Sequence, residues 1–341
     1  MKSSSTKLPI GKLPPDLLAR LLASAPLQDE RLILGPGIGL DCAVIDLGST
    51  LLVFKSDPIT FASDEIGWYA VQVNANDIAT TGATPSWFLM TLLLPEEETS
   101  SSLVEQISQQ VYEACRGMGV TVIGGHTEIT QELKRPIVVG TLIGEVDRDQ
   151  LITPRGAQPG DRILLTKGVP VEATSILARE FPERLKDYLE PEELAQARDY
   201  LYEPGISVLQ EARLATQAGR VTAMHDPTEG GLSAALWELA QACGQAISFD
   251  PQAVHVSQLS GRICQVFEID PLSAIASGAL LLTASLEDAG SICQALDQDG
   301  IRCAEIGAIE SGPPEVWQIT GAGRELLPRP ERDEIARVFD P

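Results

Sequence analysis

The stretch Val73-Asn74-Ala75-Asn76-Asp77-Ile78-Ala79-Thr80-Thr81-Gly82-Ala83-Thr84-Pro85 sets two amides and a carboxylate inside a segment that otherwise reads as a buried helix. Trp68, Val71, Ala75, Ile78 and Ala79 recur at helical spacing and predict a core-facing stripe, while Asn74, Asp77 and Thr81 fall together on another face. One face is expected to pack and the other to present oxygen and amide groups. A carboxylate on a largely apolar helix is costly unless it is hydrogen-bonded, paired or bound to a metal, which makes Asp77 the first candidate for a functional side chain.

Outward from this helix, placed at 64–81, the pattern alternates between strands and helices. Upstream, Pro14-Pro15-Asp16 with Leu17, Leu18, Leu21 and Leu22 reads as a short capped amphipathic helix. A glycine-rich turn, Gly35-Pro36-Gly37-Ile38-Gly39, leads into a strand at 42–46, and a second strand at 51–54 ends at Lys55-Ser56-Asp57-Pro58. Downstream come a strand at 87–94, a helix at 99–117, a short strand at 120–123 ending in Gly124-Gly125, and a strand at 136–146. The turn-rich run from Thr153 to Asp161 marks the domain boundary. A second α+β unit follows, with a strand at 162–166, helices near 171–181, 191–201 and 205–218, and the loop His225-Asp226-Pro227-Thr228-Glu229-Gly230-Gly231. Beyond it lie a helix at 232–243, a strand at 279–284, a helix at 286–299 and a strand at 303–309. The expected organisation is an N-terminal extension and helix over 1–30, a first domain over 31–152 and a second over 153–341.

A chain of 341 residues is too long for one ordinary core, and two domains of roughly 150 residues make a cleft between them. Apolar residues at 44% and charged residues at 21% are those of a globular protein, and no apolar run reaches the roughly 20 residues that cross a bilayer, so membrane insertion is not expected. Met1 to Lys12 is Ser/Lys-rich without an apolar centre and is expected to be a frayed terminus, not a signal peptide. Six cysteines, widely spaced with no CxxC pair, read as reduced core residues in a cytoplasmic protein and not as a zinc or cluster site. The net charge of −23 opposes attraction to phosphate backbones and anionic membranes, so nucleic acid is a poor partner. A phosphorylated small molecule is still compatible where bound divalent cations neutralise the local field.

Polar groups recur at the ends of apolar segments: Asp41 after the glycine turn, Asp57 after the second strand, Asn74 and Asp77 on the helix, His126 and Glu128 after Gly124-Gly125. Such ends are where a scaffold exposes polar groups to a cleft, and several carboxylates in one cleft suit magnesium with a nucleotide better than a proton relay alone. Each has a local alternative: Asp41 as a turn cap, Asp57 as a turn initiator before Pro58, His126 as a backbone donor, Lys55 as a solvated strand-end lysine. The Gly35–Gly39 turn is not a P-loop, since no Gly-Lys-Ser/Thr follows; it reads either as a lid over phosphates or as a surface turn. Asp226 and Glu229, in a loop feeding a helix, could bind a cation or cap the turn, and amides at the helix start could hold an anion. No Ser-His-Asp or Cys-His triad is legible around His126, His225 and His255.

Taken together these motifs resemble the superfamily of aminoimidazole ribonucleotide synthetase, thiamine-monophosphate kinase, selenophosphate synthetase and the hydrogenase maturation factor that dehydrates a carbamoyl group. Gly39-Leu40-Asp41-Cys42-Ala43-Val44 is similar to the family's Gly-Asp-Asp-Ala-Ala-Val, Asn76-Asp77-Ile78-Ala79 with Gly82-Ala83 and Pro85 to its Asn/Ser-Asp-Leu-Ala-x-x-Gly-Ala-x-Pro, and Gly124-Gly125-His126-Thr127 to its Gly-Gly-Asp/Glu/His-Thr. Asp226-Pro227-Thr228-Glu229-Gly230-Gly231 resembles the maturation factor's Asp-Pro-Thr-Arg-Gly-Gly. The resemblance covers the chain from about Gly35 onward. It implies an α+β, two-domain PurM-like fold, with N-terminal domains pairing strands across a homodimer into a β-barrel and a C-terminal α/β sandwich domain. It also implies ATP and Mg2+ in the cleft. Asp41, Asp57, Asp77 and Glu128 would hold the metal. Gly37, Gly39, Asn74, Asn76, Gly124, Gly125, Thr127, Asp226 and Glu229 would bind the nucleotide, and Lys55, Asp57 and His126 would be catalytic.

The departures bear on the reaction. Leu40 replaces the first Asp of Gly-Asp-Asp, His126 stands where kinase relatives have Asp, and Glu229 reverses the charge of the maturation factor's Arg. The sequence ends Arg337-Val338-Phe339-Asp340-Pro341 without the cysteine on which the maturation factor carries its carbamoyl group, and Lys7 and Lys12 lack the neighbouring Cys of selenophosphate synthesis. The expectation is an Mg-ATP-dependent enzyme that phosphorylates a small substrate or another protein's modified group, or dehydrates it through a phosphorylated intermediate. Its alternatives are a small-molecule kinase and a non-catalytic nucleotide-binding assembly partner.

Overall fold

In a computed structural model that describes Leu8 and residues 11–339, each half of the chain builds its own sheet. The first half runs α1 (Pro15–Leu22), β1 (Leu32–Leu34), β2 (Ala43–Asp46), β3 (Leu51–Ile59), α2 (Ile66–Thr80), β4 (Thr84–Pro95), α3 (Ser101–Met118), β5 (Thr121–Thr130) and β6 (Ile137–Val146). Its strands lie in the order β1-β2-β3-β6-β4-β5, antiparallel except for the parallel pair β4/β5. Alternation along β3 turns Leu51, Val53, Lys55, Asp57 and Ile59 to the inner face, against which α2 packs.

The second half runs β7 (Arg162–Thr166), α4 (Val171–Glu180), α5 (Pro182–Leu185), α6 (Pro191–Asp199), α7 (Leu209–Ala218), β8 (Val221–His225), α8 (Gly231–Cys243), β9 (Ala246–Phe249), α9 (Gln258–Phe267), β10 (Leu281–Ala284), α10 (Ala289–Gln298), β11 (Cys303–Glu310), β12 (Val316–Thr320), β13 (Gly323–Leu326) and α11 (Ala336–Phe339). Its sheet has the order β13-β12-β9-β11-β7-β10-β8. The architecture is therefore mixed α+β with two sheet-containing units. Among the described residues no helix is long and apolar enough to cross a membrane.

Five local expectations change, the first being that the strand placed at 51–54 runs on to Ile59, so Lys55 and Asp57 lie within it and not beyond its end. α2 is not half-exposed: every residue but Trp68 is buried, because the first sheet and α3 cover part of it and α7 and β8 of the second half cover the rest. Trp68 leaves the core-facing stripe and meets the Tyr202 ring edge-on at 5.3 Å, across the junction between the halves. The strand expected to stop at Ile123 runs straight through Gly124-Gly125 to Thr130, so His126 lies mid-strand and not after a turn. The helix expected from 205 begins at Leu209, since residues 201–205 form a wide turn containing Pro204. The expected frayed terminus lies mostly outside the described residues, as do Asp340 and Pro341, but Lys12 is placed and paired.

Helix α2 approaches β6 closely because that strand carries glycine where it passes: a Cβ on Gly140 would lie 2.6 Å from Asn74 Nδ2, and one on Gly144 2.4 Å from Ile78 Cγ2. One apolar cluster runs through both halves, joining Phe88, Leu92 and Leu142 to Ile176, Ile263 and Ile335. The C-terminal segment completes it, with the Phe339 ring tilted against Phe61 at 5.8 Å and edge-on to Phe181 at 5.1 Å.

Asn76 supplies the polar part of this junction. Its Nδ2 donates to the Ile206 carbonyl at 2.7 Å and to Asp226 Oδ2 at 3.1 Å, and its Oδ1 accepts from the Val208 N–H at 2.9 Å. Asn76→Ala strands all three partners in a dry interface and should cost about 2–3 kcal/mol in urea unfolding. A loss under roughly 0.5 kcal/mol, the range of an ordinary surface change, would mean that the clasp is dispensable.

Candidate functional site

Two charged clusters meet where the halves join. On β3, Lys55 and Asp57 share the inner face, and α2 delivers Asp77 beneath them. Lys55 Nζ lies 3.0 Å from Asp57 Oδ2 and 3.0 Å from Asp77 Oδ2. Asp77 is almost wholly buried, whereas the Asp57 side chain keeps 36% of its surface. Asn74 holds the strand in place: its Oδ1 accepts from the Asp57 N–H at 2.9 Å and its Nδ2 donates to the Ala70 carbonyl at 2.8 Å. Burial alone would drive the Lys55 ammonium toward neutrality, but Asp77, Asp41 and Asp57 outweigh it and hold the group well above the ordinary lysine range. Burial pushes the Asp77 carboxyl up to about 7 against the pull of Lys55, with Asp41 and Asp57 adding to the push.

The second cluster starts at the glycine turn. Gly39 has φ +69°, and a Cβ there would lie 2.5 Å from the Glu238 carbonyl oxygen, so the turn sits flush on α8 and aims Asp41 at the second half. His225, the last residue of β8, bridges two carboxylates: Nδ1 is 2.9 Å from Asp41 Oδ2 and Nε2 is 3.1 Å from Glu238 Oε2. Lys12 Nζ reaches Glu238 Oε1 at 3.4 Å. Burial would lower His225, but the carboxylates on its two nitrogens raise it to about 10. At neutral pH the ring is an imidazolium donating on both sides. Asp41 is half-buried, and against the push of that burial it is held far below the usual carboxylate range by His225, Lys55 and Lys12, which places both clusters in one field.

The field remains short of positive charge. Asp226 is buried and accepts from Asn76 through Oδ2; its other oxygen, Oδ1, has no partner among the described residues. Burial and the charge of Asp77 push Asp226 well above the ordinary range, and burial raises Glu229 against the pull of Lys12. The start of α8 already holds an anion: Asp333 accepts from the Gly230 and Ile335 N–H groups, so the helix start expected to bind phosphate is capped by the chain itself. Among the described residues no group of three or more His, Cys, Asp or Glu is arranged as a metal cage. Lys55 stands between Asp57 and Asp77, and His225 stands on Asp41. The donor set fits a hard cation arriving with a phosphate chain, since Asp41 and Asp57 keep solvent-facing oxygen and Asp226 has an orphaned one.

The expected residues divide by place. Asp41, Lys55, Asp57, Asp77, Asp226 and Glu229 come together. Asn74 and Asn76 lie beside them with their amides committed to protein partners. Gly37 closes the turn opposite Leu40, and Gly39 serves the contact with α8. His126, Thr127, Glu128, Gly124 and Gly125 do not join: the row Asp57, Gly140, Met90, Gly125 crosses from β3 to β5, three strand spacings or about 14 Å. There His126 Nε2 lies 3.1 Å from Glu128 Oε2, with both residues exposed on the sheet edge. A Cβ on Gly125 would lie 1.9 Å from the Met90 carbonyl oxygen, so this glycine serves strand packing. Glu238 and Lys12 were not anticipated, and His225 was noted without a role. Glu238 carried the signal that singled out Asp77, a carboxylate inside the apolar run Leu236-Trp237-Glu238-Leu239-Ala240.

His225 makes stability depend on pH in a defined window. Its folded value of about 10 lies above the ordinary 6.5, so its contribution is complete below about 6.5 and is lost as pH rises through about 10. The unfolding temperature should fall by several degrees from pH 8 to 10, and His225→Gln should flatten that slope; parallel profiles for the two proteins would sink the assignment. Asp77 and Glu172, raised by burial to about 7, act at lower pH and do not mask the effect.

Residues 39–146 match the family described as AIR synthase related protein, N-terminal domain, and residues 158–319 match its C-terminal domain. A Methanocaldococcus jannaschii protein named for hydrogenase expression/formation is 29% identical over 317 residues, covering 89% of this chain and 90% of its own. The carbamoyl dehydratase HypE of Azotobacter vinelandii is 26% identical over 309 residues (88% and 84%), and the thiamine-monophosphate kinase of Archaeoglobus fulgidus 29% over 218 (62% and 67%). Among solved structures, the hydrogenase maturation protein HypE in complex with ATP superimposes with a TM-score of 0.70 at 22% identity, covering 92% of this chain and 89% of that one. With both domain models matched in order along most of its length, the chain belongs to the AIR synthase related protein family.

Proposed function

We propose that the chain binds ATP with magnesium at the junction of its halves and transfers the terminal phosphoryl group to an acceptor oxygen, either as the product or to turn that oxygen into a leaving group and dehydrate the acceptor. The observation that carries this reading is the buried Lys55 held between Asp57 and Asp77 in a cluster whose carboxylates outnumber its cations. Magnesium, when bound with the nucleotide, would neutralise phosphate charge. Asp41 and Asp57 are the residues to hold it, because their oxygens reach solvent. Lys55 is already a fixed ammonium and would meet phosphate oxygens at little ordering cost. Asp77 acts through Lys55 by keeping it charged and placed. The acceptor is a small molecule or a modified group on another protein, and the setting is cytoplasmic.

Two copies are proposed to pair through the first sheet. Its outer face carries Phe54, Trp87, Leu89, Val139 and Ile143 only half-buried, and the edge strand β5 leaves Ile123 51% and Ile129 59% exposed. An open edge with an apolar face is a surface that wants a partner strand. Pairing would bring Gly124, Thr127, His126 and Glu128 into a shared barrel. Ile129→Glu should leave a monomer where the unaltered chain sediments as a dimer, and identical sedimentation of the two would remove the pairing.

A kinase acting on a small phosphorylated substrate is the second reading, favoured by the thiamine-monophosphate kinase match; Leu40 in place of an acidic residue favours a third, an assembly partner that binds nucleotide without turnover. ADP release from Mg-ATP with candidate acceptors separates them: phosphate on thiamine monophosphate establishes the kinase, and binding without turnover establishes the partner. Asp57→Asn and Asp77→Asn should each weaken magnesium-dependent ATP binding by about 1–3 kcal/mol in titration calorimetry. Unchanged affinity with lowered thermal stability would make these carboxylates structural.

A further inference from the structure

Two thiols meet where α10 packs against the start of β11, the central strand of the second sheet. Cys293 lies in the second turn of α10, and Cys303 is the first residue of β11. The turn between them is tight: the N–H groups of Gly300 and Ile301 return to the carbonyls of Asp297 and Leu296. Asp297 stands one helical turn beyond Cys293 on the same face of α10, and its Oδ1 accepts from the Cys303 N–H at 3.3 Å. The strand start is thus drawn alongside the face that bears Cys293. Both side chains rest on the apolar cluster around Ile292 and Leu296, both are half-buried, and the two thiols are near enough for each to shift the other's acidity. Among the other cysteines, Cys42, Cys115 and Cys264 are buried, and the half-buried Cys243 donates to the Ala240 carbonyl.

We propose that Cys293 and Cys303 form a reversible redox pair that closes to a disulfide when the protein meets a peroxide. The neighbouring Cys303 draws the Cys293 thiol below its ordinary range, and Cys293 with burial pushes Cys303 above its own, so Cys293 is the nucleophile and Cys303 the resolving thiol. The Cys293 thiolate attacks one peroxide oxygen, the O–O bond breaks, and the departing hydroxide takes a proton to leave as water, giving a sulfenic acid. The Cys303 sulfur then attacks the Cys293 sulfur, the S–O bond breaks, and a second water leaves with the Cys303 proton. Two thiols and one peroxide give one disulfide and two waters; an external dithiol reverses the step. Neither sulfur belongs to the carboxylate site, so the bond fastens α10 to β11 without entering the phosphoryl-transfer proposal. It closes a short loop and raises the unfolding temperature by restricting the unfolded chain.

The test uses the full chain, reduced and then exposed to a small excess of hydrogen peroxide. Peptide mapping without reductant should recover residues 293 and 303 in one linked species lighter by two hydrogens, the free thiol count should fall by two from the six in the chain, and dithiothreitol should restore it. Cys293→Ser and Cys303→Ser should each abolish the link, while Cys243→Ser keeps it. Six thiols remaining free, a link between other cysteines, or Cys293 carried to sulfinic acid with Cys303 still free would each overturn the proposal.

Discussion

Lys55 and Asp77 meet at 3.0 Å in a place that strips water from both, and the surrounding elements are arranged around that pair. Isolated, either charge would be pushed toward its neutral form; together they keep Lys55 an ammonium, while Asp77, raised to about 7 by burial, stays poised near its own titration. Removing one partner of such a pair typically costs about 3–5 kcal/mol, although the intact pair adds little over an apolar pair of equal size. Asn74 fixes the strand that carries Lys55, Gly140 lets the helix that carries Asp77 lie flat on the sheet, and Asp57 shares the ammonium at the solvent side.

The junction between the halves follows the same rule. His225 joins Asp41 of the first half to Glu238 of the second, and Asn76 joins α2 to residues 206–208 and to Asp226. Asp333 reaches back from the C-terminal segment to cap the loop before α8. These charged and polar contacts surround a continuous apolar cluster, so the junction is held by directional bonds as well as by packing. What they leave over is carboxyl groups that exceed the local cations, including an unpartnered oxygen on Asp226 whose ionisation burial and Asp77 oppose, and that surplus makes a cation with a phosphate chain the natural occupant.

Much of the first half was legible because its signals are long. β6 and α3 have periodic patterns, and the expected bounds fall within two residues of those observed. Short elements such as β8, β9, β12 and the helix α9 were not expected: four or five residues carry too little periodicity, and for α9 the apolar spacing was not recognised. Gly124-Gly125 read as a stop because glycine punctuates most strands, whereas here close packing on Met90 explains it.

The sequence by itself determined that Asp77 needs a compensating partner, that Asp41 falls between the glycine turn and the next strand while Lys55 and Asp57 follow directly on an apolar strand run, and that the family motifs occur in order. Those statements rest on local pattern and on the cost of burying a charge, which hold wherever the chain goes. Only the tertiary structure decided who the partners are. Lys55 and Asp77 are 22 residues apart, His225 reaches Asp41 and Glu238 from another sheet, and His126 is carried three strands away, because strand order and the packing of two halves are long-range outcomes no local spacing encodes.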